Sequence, residues 1–310
     1  MNPASVEALL AGLVDYAGLF PPAALSMEDA TAEYAMWRRA PEAWMLGRFV
    51  SPAARLAELA RAADVHLPEP GAAPPWRLSA LLGADVRGEA ARVDSFNRSQ
   101  AGRAVVDSVE LKAATREDAA DALESLPPGL AAFVELPIDA ELEPLLAVLK
   151  ARGARAKVRT GGVVPEAIPG PSALARFVAA CAAAGVPFKA TAGLHHPVRS
   201  EHALTYEPGS PRAVMHGFVN VFAAAALARS GATRAELEEL LSEEDPGAFR
   251  FEPGGLRWRG RTLPTEEIAR ARQGLALSFG SCSFAEPVRD LRALGVLAPA
   301  KDPAGPRGIA

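Results

Sequence analysis

Short runs of apolar, β-prone residues alternate along the chain with longer runs whose apolar positions recur at helical spacing. Strand-like runs cover 44–50, 76–83, 105–112, 131–136, 154–160, 187–191 and 275–282. Helical periodicity covers 53–63, 85–98, 116–125, 139–151, 171–184, 217–229, 233–243, 265–274 and 286–294. Alternation of this kind calls for parallel strands joined by crossover helices, the α/β class. Seven strands and one further partner predict a TIM-type (β/α)8 barrel, with an open doubly wound sheet as the alternative. The eighth partner is the weak point. Residues 249–259 (FRFEPGGLRWR) read as a β-hairpin turning at Pro253-Gly254-Gly255, not as a buried parallel strand. They either contain the missing strand or form an insertion. Residues 1–43 read as an N-terminal helical extension interrupted at Pro21-Pro22, 44–298 as the barrel domain, and 299–310 as a disordered tail.

Composition narrows the partners. The chain has 310 residues, enough for one barrel with extensions, and its 49% apolar and 23% charged content excludes a disordered chain. A net charge of −4, without any Lys/Arg run, gives no general attraction to nucleic acid or to an acidic membrane. The N-terminus lacks a basic start and carries Glu7 and Asp15 within its apolar run, unlike a signal peptide. No charge-free stretch reaches the roughly 18 apolar residues of a membrane span. Two isolated cysteines, Cys181 and Cys282, argue against a disulfide framework and for a reducing, cytoplasmic location. No G-x-G-x-x-G follows a strand and no G-x-x-x-x-G-K-[ST] occurs, so no nucleotide cofactor is expected. The expected partner is a small anionic substrate, not nucleic acid or membrane, and a homo-oligomer stays open.

Functional residues of such a barrel belong at the C-terminal ends of its strands. Polar residues gather there: Glu110 and Lys112, Glu135, Lys157-Val-Arg-Thr-Gly161, Lys189-Ala-Thr-Ala-Gly193, and Ser278-Phe-Gly-Ser-Cys-Ser283. Lys157 and Lys189 stand out, because an ammonium inside an apolar strand is costly to bury. Period-2 alternation sends Lys157 and Arg159 to one side while Val158 faces the helices. Cations sharing a barrel interior repel one another and lose water. Both effects lower a lysine's pKa and supply the neutral amine that a Schiff base needs. The plainer alternative is a pair of lysines balancing Glu110 and Glu135.

The paired motifs Lys157-Val-Arg-Thr-Gly161 and Lys189-Ala-Thr-Ala-Gly193 resemble those of class I aldolases of the deoxyribose-phosphate aldolase kind. The resemblance covers some forty residues. It implies that Lys157 is the Schiff-base lysine and Lys189 the neighbour that depresses its pKa. The paired histidines and the long N-terminal and 200–275 segments have no counterpart in that pattern.

Four of the five histidines, His195, His196, His202 and His216, fall within 22 residues. His195 and His196 suit general acid–base work, since an imidazole titrates near neutrality. His216, at a helix start, suits anion binding when protonated. No metal is assigned, because the histidines match no spacing such as H-E-x-x-H. A divalent metal on two histidines with Glu110 or Glu135 is the alternative chemistry. Backbone donors near Gly280, Ser281 and Ser283, before a helix start, read as an anion cradle assisted by Arg159 or Arg199. Ser283 with Glu286 equally forms an S-x-x-E capping box. Thr160, Gly161 and Thr191 complete the substrate-binding set. Cys282 and Cys181 read as buried fillers. Asp15-Tyr16 reads as a plug at the N-terminal mouth, with a reach over the site as the alternative.

Together these residues predict a lyase or aldolase-type enzyme acting on a small anionic carbonyl or hydroxy compound. Lys157 or Lys189 forms the imine or stabilises an enolate, Glu135 belongs to the same catalytic group, and His195 or His196 moves the proton. The alternatives are a metal-dependent hydrolase or lyase and a non-catalytic anion-binding barrel.

Overall fold

The computed structural model, which describes residues 2–299, closes eight parallel strands into a barrel. The first seven are β1 (Val14–Tyr16), β2 (Leu46–Pro52), β3 (Trp76–Leu81), β4 (Ala104–Lys112), β5 (Ala131–Glu135), β6 (Arg155–Arg159) and β7 (Phe188–Thr191). Two excursions follow. One is the antiparallel ribbon β8 (Ser200–Ala203) and β9 (Arg212–Met215). The other is a three-stranded antiparallel sheet of β10 (Phe249–Glu252), β11 (Gly255–Trp258) and β12 (Arg261–Pro264). The chain then returns as β13 (Ala276–Ser281), which pairs with β7 on one side and β1 on the other.

The helices between strands lie where the 3.6-residue spacing puts them, as with Val86–Ser99, Pro171–Ala184 and Phe218–Arg229. Thr115 with Asp118 and Thr233 with Glu236 form reciprocal capping boxes that start two of them. Helix Phe218–Arg229 is buried from Phe218 to Leu227 because helices 234–241 and 265–274 cover its outer side. The stretch Pro165–Ala184 is long and apolar enough by length and composition to cross a membrane. In the fold its Phe177 packs edge-on against Phe188 of β7, with ring centroids 5.5 Å apart.

Of the two readings of 249–259, the hairpin insertion holds and the missing-strand reading does not. That segment is the predicted hairpin, with Phe249 opposite Trp258, but it lies outside the barrel and gains β12 as a third strand. The missing barrel strand is β1, inside the segment read as a helical extension. Helices Ala4–Leu10 and Met27–Trp37 do occupy that segment, and the barrel begins between them at Val14. Three residues with an acid in the middle do not stand out as a strand from the apolar run around them. Asp15 faces inward, while Tyr16 faces the helices and packs 5.7 Å from Phe49 and 5.9 Å from Tyr34. The N-terminal plug is thereby replaced by a barrel strand that carries a site residue. The tail predicted for 299–310 lies, from residue 300 onward, outside the described residues.

Candidate active site

Strand alternation and register bring the charges together. Lys157 of β6 and Lys189 of β7 are register partners, and Glu135 of β5 is the partner of Lys157. Inward-facing neighbours on adjacent parallel strands must meet in the barrel interior. They line a cavity of about 730 Å³ at the C-terminal ends of the strands, with Glu110, Arg159, Thr191, His195 and Gly280.

The ionic groups form a ladder of alternating sign. Lys189 Nζ donates to Asp15 Oδ2 at 2.6 Å and to Glu110 Oε1 at 2.7 Å. The other oxygen of Glu110 lies 2.9 Å from Lys157 Nζ, which is also 2.9 Å from Glu135 Oε2. Arg159 and Lys112 approach the second oxygen of Glu135 more loosely, at 3.6 and 3.8 Å. Ser79 donates to Glu110, while Ser278 and the Arg48 amide donate to Asp15. Burial disfavours the ammonium of Lys189, but the two carboxylates outweigh it and hold its pKa above the ordinary lysine value. Burial likewise opposes ionisation of Glu110 and Glu135, and the lysines outweigh it, leaving both carboxyls below their usual range.

This corrects the expectation of two lysines facing one another. Glu110 stands between them, so Lys189 is a fixed ammonium and not a source of bare repulsion. The lysines differ in how they are held. Lys189 makes two aligned hydrogen bonds, whereas Glu135 Oε2, beside Lys157, is buried without an aligned one.

The two glycine motifs explain themselves in the rim. Gly161 and Gly193 touch backbone to backbone, and a Cβ on Gly161 would stand 2.9 Å from the Gly193 Cα. Gly193 also has φ +78°, a conformation that a side chain resists. Thr160 bonds across the same contact to the carbonyls of Thr191 and Ala192. Thr160 and Gly161 therefore join the loops after β6 and β7 and do not line the cavity.

The histidines divide. The ring of His195 lines the cavity, and its Nδ1 meets Glu286 Oε2 at 2.9 Å. Its Nε2 has no hydrogen-bond partner among the described residues, which leaves that nitrogen for a ligand. Glu286 also accepts from Tyr206 at 3.2 Å, and its carboxyl is lowered by His195 against the opposing effect of burial. His196 turns away to Asp290, 2.6 Å from its Nδ1, and stacks on His202 with ring centroids 3.3 Å apart. His216 donates from Nε2 to the Pro169 carbonyl and lies outside the cavity.

The expected anion cradle is occupied by its own side chains. Ser281 Oγ donates to the Ser283 carbonyl, and Ser283 Oγ caps the Glu286 amide at 3.2 Å. Only half of the capping box forms, because the Glu286 carboxylate is spent on His195 and Tyr206. Arg199 pairs with Glu244 at 3.2 Å, away from the cavity. A smaller cavity of about 370 Å³ adjoins the main one, and Lys112, Glu135 and Arg159 line both.

Among the described residues, no three His, Cys, Asp or Glu side chains converge as a metal-ligand set. Sequence reasoning left Asp15, Lys112, Glu286 and Asp290 out of the site set. Lys112 stood among the strand-end polar residues, Asp15 as an acid within an apolar run and Glu286 as a capping residue, while Asp290 carried no signal. Compared with known proteins, the chain matches no family model and no curated protein.

Proposed function

We propose that the barrel is a lyase of the aldolase type, acting on an anionic carbonyl compound through an imine on Lys157. One observation carries this: two lysines at one register position on adjacent strands, joined through a single buried carboxylate, at the floor of a closed-sided cavity. Lys189, tied to two carboxylates, keeps its proton and supplies fixed positive charge. Lys157, beside an incompletely satisfied Glu135, is the one placed to pass a proton to that carboxylate and attack.

Attack of the Lys157 amine on the carbonyl carbon, with loss of water, gives a protonated imine. The protonated imine draws the electrons of the bond between its α and β carbons as that bond breaks; the β-hydroxyl gives its proton to His195 Nε2 and departs as the carbonyl of the first product, leaving an enamine. Protonation of the enamine carbon and addition of water then return the free lysine and the second product. His195, oriented through Nδ1 by Glu286, presents Nε2 for these proton transfers. The anionic group is placed at Lys112 and Arg159, the two cations held most loosely. The Gly280–Ser283 loop is less suited, since the Ser283 amide is taken by Ser281 Oγ and Ser283 Oγ is taken by the Glu286 amide. The free cysteines, Cys181 and Cys282, are compatible with a reducing, cytoplasmic setting.

Borohydride reduction in the presence of a panel of 2-oxo acids and aldehydes tests the proposal. The expected result is a stable adduct located on Lys157 by peptide mapping, absent from Lys157→Ala. An adduct on Lys189, or none with any carbonyl probe, overturns the assignment.

A further inference from the structure

The cavity has two unlike halves. Every charged side chain in its wall comes from β4 onward, beginning with Glu110. The half supplied by β1–β3 and the loops after them carries no polar side chain, and Phe20, Pro21, Val50, Leu81 and Leu82 form its face. Its backbone offers little more. The amide of Ala17 donates to the Ser281 carbonyl at 2.7 Å, that of Phe20 to Ala17 at 2.9 Å, and that of Leu82 to Glu110 at 2.8 Å. The Gly83 amide is taken by the Glu89 carboxylate, and Pro21 has no amide hydrogen.

A polyhydroxylated chain lying on this wall would surrender water and find few partners for its hydroxyls. An alkyl or aryl group would release water from both surfaces. We infer that the substrate is amphipathic: a carbonyl compound that bears an anionic group at the charged half and an unsubstituted alkyl or aryl group on the Phe20–Leu82 wall. The position of its carbonyl rests on the lysine reading above; the apolar wall does not.

Calorimetric titration with butanoate, hexanoate, octanoate and gluconate separates the two. None of these acids can form an imine, and hexanoate and gluconate share a six-carbon carboxylate chain and differ in hydroxylation. The expected result is a Kd that tightens about fourfold per methylene along the series, with hexanoate bound at least about tenfold tighter than gluconate. Phe20→Ala should flatten the series without affecting the charged half. A flat series, gluconate binding as tightly as hexanoate, or octanoate showing no binding at millimolar concentration overturns the inference. Should the slope fail while Lys157 is still trapped, the lysine chemistry stands and the substrate class falls. Should trapping fail while the slope holds, the apolar subsite stands alone.

Discussion

The charge ladder and the histidine rim meet at the same mouth of the barrel and answer burial in opposite ways. Each group can be ranked by the counter-charge it touches. Lys189 touches two carboxylates and is held more strongly charged than a free lysine. His196 touches one, Asp290, and burial still prevails, lowering its pKa. His216 meets only a carbonyl, and burial takes it down to about 4. His202, also desolvated and stacked on His196, falls to about 4 as well. For Lys189 the two counter-ions outweigh burial, and for His196 the single one does not. Lys189 holds its proton in place across the neutral range, and proton exchange falls to the groups around it. Fixed charge beside a movable proton is the division of labour that imine chemistry requires.

The strongest test of that division acts on the rim. His195→Ala should lower turnover by about 10²–10⁴ while borohydride trapping on Lys157 persists. Equal loss of both would merge the two regions into one.

Next in size is an attack on the ladder. Lys189→Met leaves Asp15 buried without a paired cation and Glu110 with Lys157 alone, and should cost about 3–5 kcal/mol in urea unfolding at neutral pH. A loss below about 1 kcal/mol, the range of an exposed pair, would show that the ladder is solvated and not locked.

A pH series separates the regions without mutation. The ladder carboxyls have folded pKa values below their unfolded ones, so their contribution is intact above about pH 4.3 and is lost as pH falls through the folded values. The Lys189 contribution is intact below about pH 10.4 and is lost as pH rises through its raised folded value. Neither changes stability between about pH 5 and pH 10. His216 behaves differently. Its folded pKa of about 4 lies below the unfolded 6.5, so the unfolded chain takes up the proton first. Stability should fall by about 3 kcal/mol as pH drops from 6.5 to 4, and His216→Gln should remove that part of the slope. A profile flat down to pH 4.5 would contradict the neutral state of the ring.

The smallest expected effect comes from chelation. With no converging ligand set among the described residues, EDTA should leave turnover and melting temperature unchanged. Stoichiometric zinc or manganese in protein purified without added metal would instead bring the histidines and glutamates forward as ligands.

Seven barrel strands were legible because parallel strands covered on both faces read as continuous apolar runs, and the helices because their periodicity is long. β1 was not, since a three-residue strand with an acid at its centre does not stand out from the apolar run around it. The lysines announced themselves as charges inside apolar runs. Their pairing with Glu110 and Glu135 stood as the plainer alternative; the share of Asp15 did not show, because it lies 174 residues from Lys189 and only barrel closure joins them. The histidines were conspicuous in the sequence, but which of them faces the cavity depends on Glu286 and Asp290. Those are ordinary helix residues whose partners no local spacing reveals.

The contact between Gly161 and Gly193 binds the two lysine motifs into a shared inheritance. Neither position can accept a side chain unless the opposite loop retreats, and each loop follows directly on a strand that carries a lysine. A substitution at one glycine therefore presses on the loop that follows the other lysine's strand. Among descendants of this chain the two glycines should be kept or lost as a pair, and insertions should fall outside both loops. Such covariation would trace the site without any knowledge of its substrate.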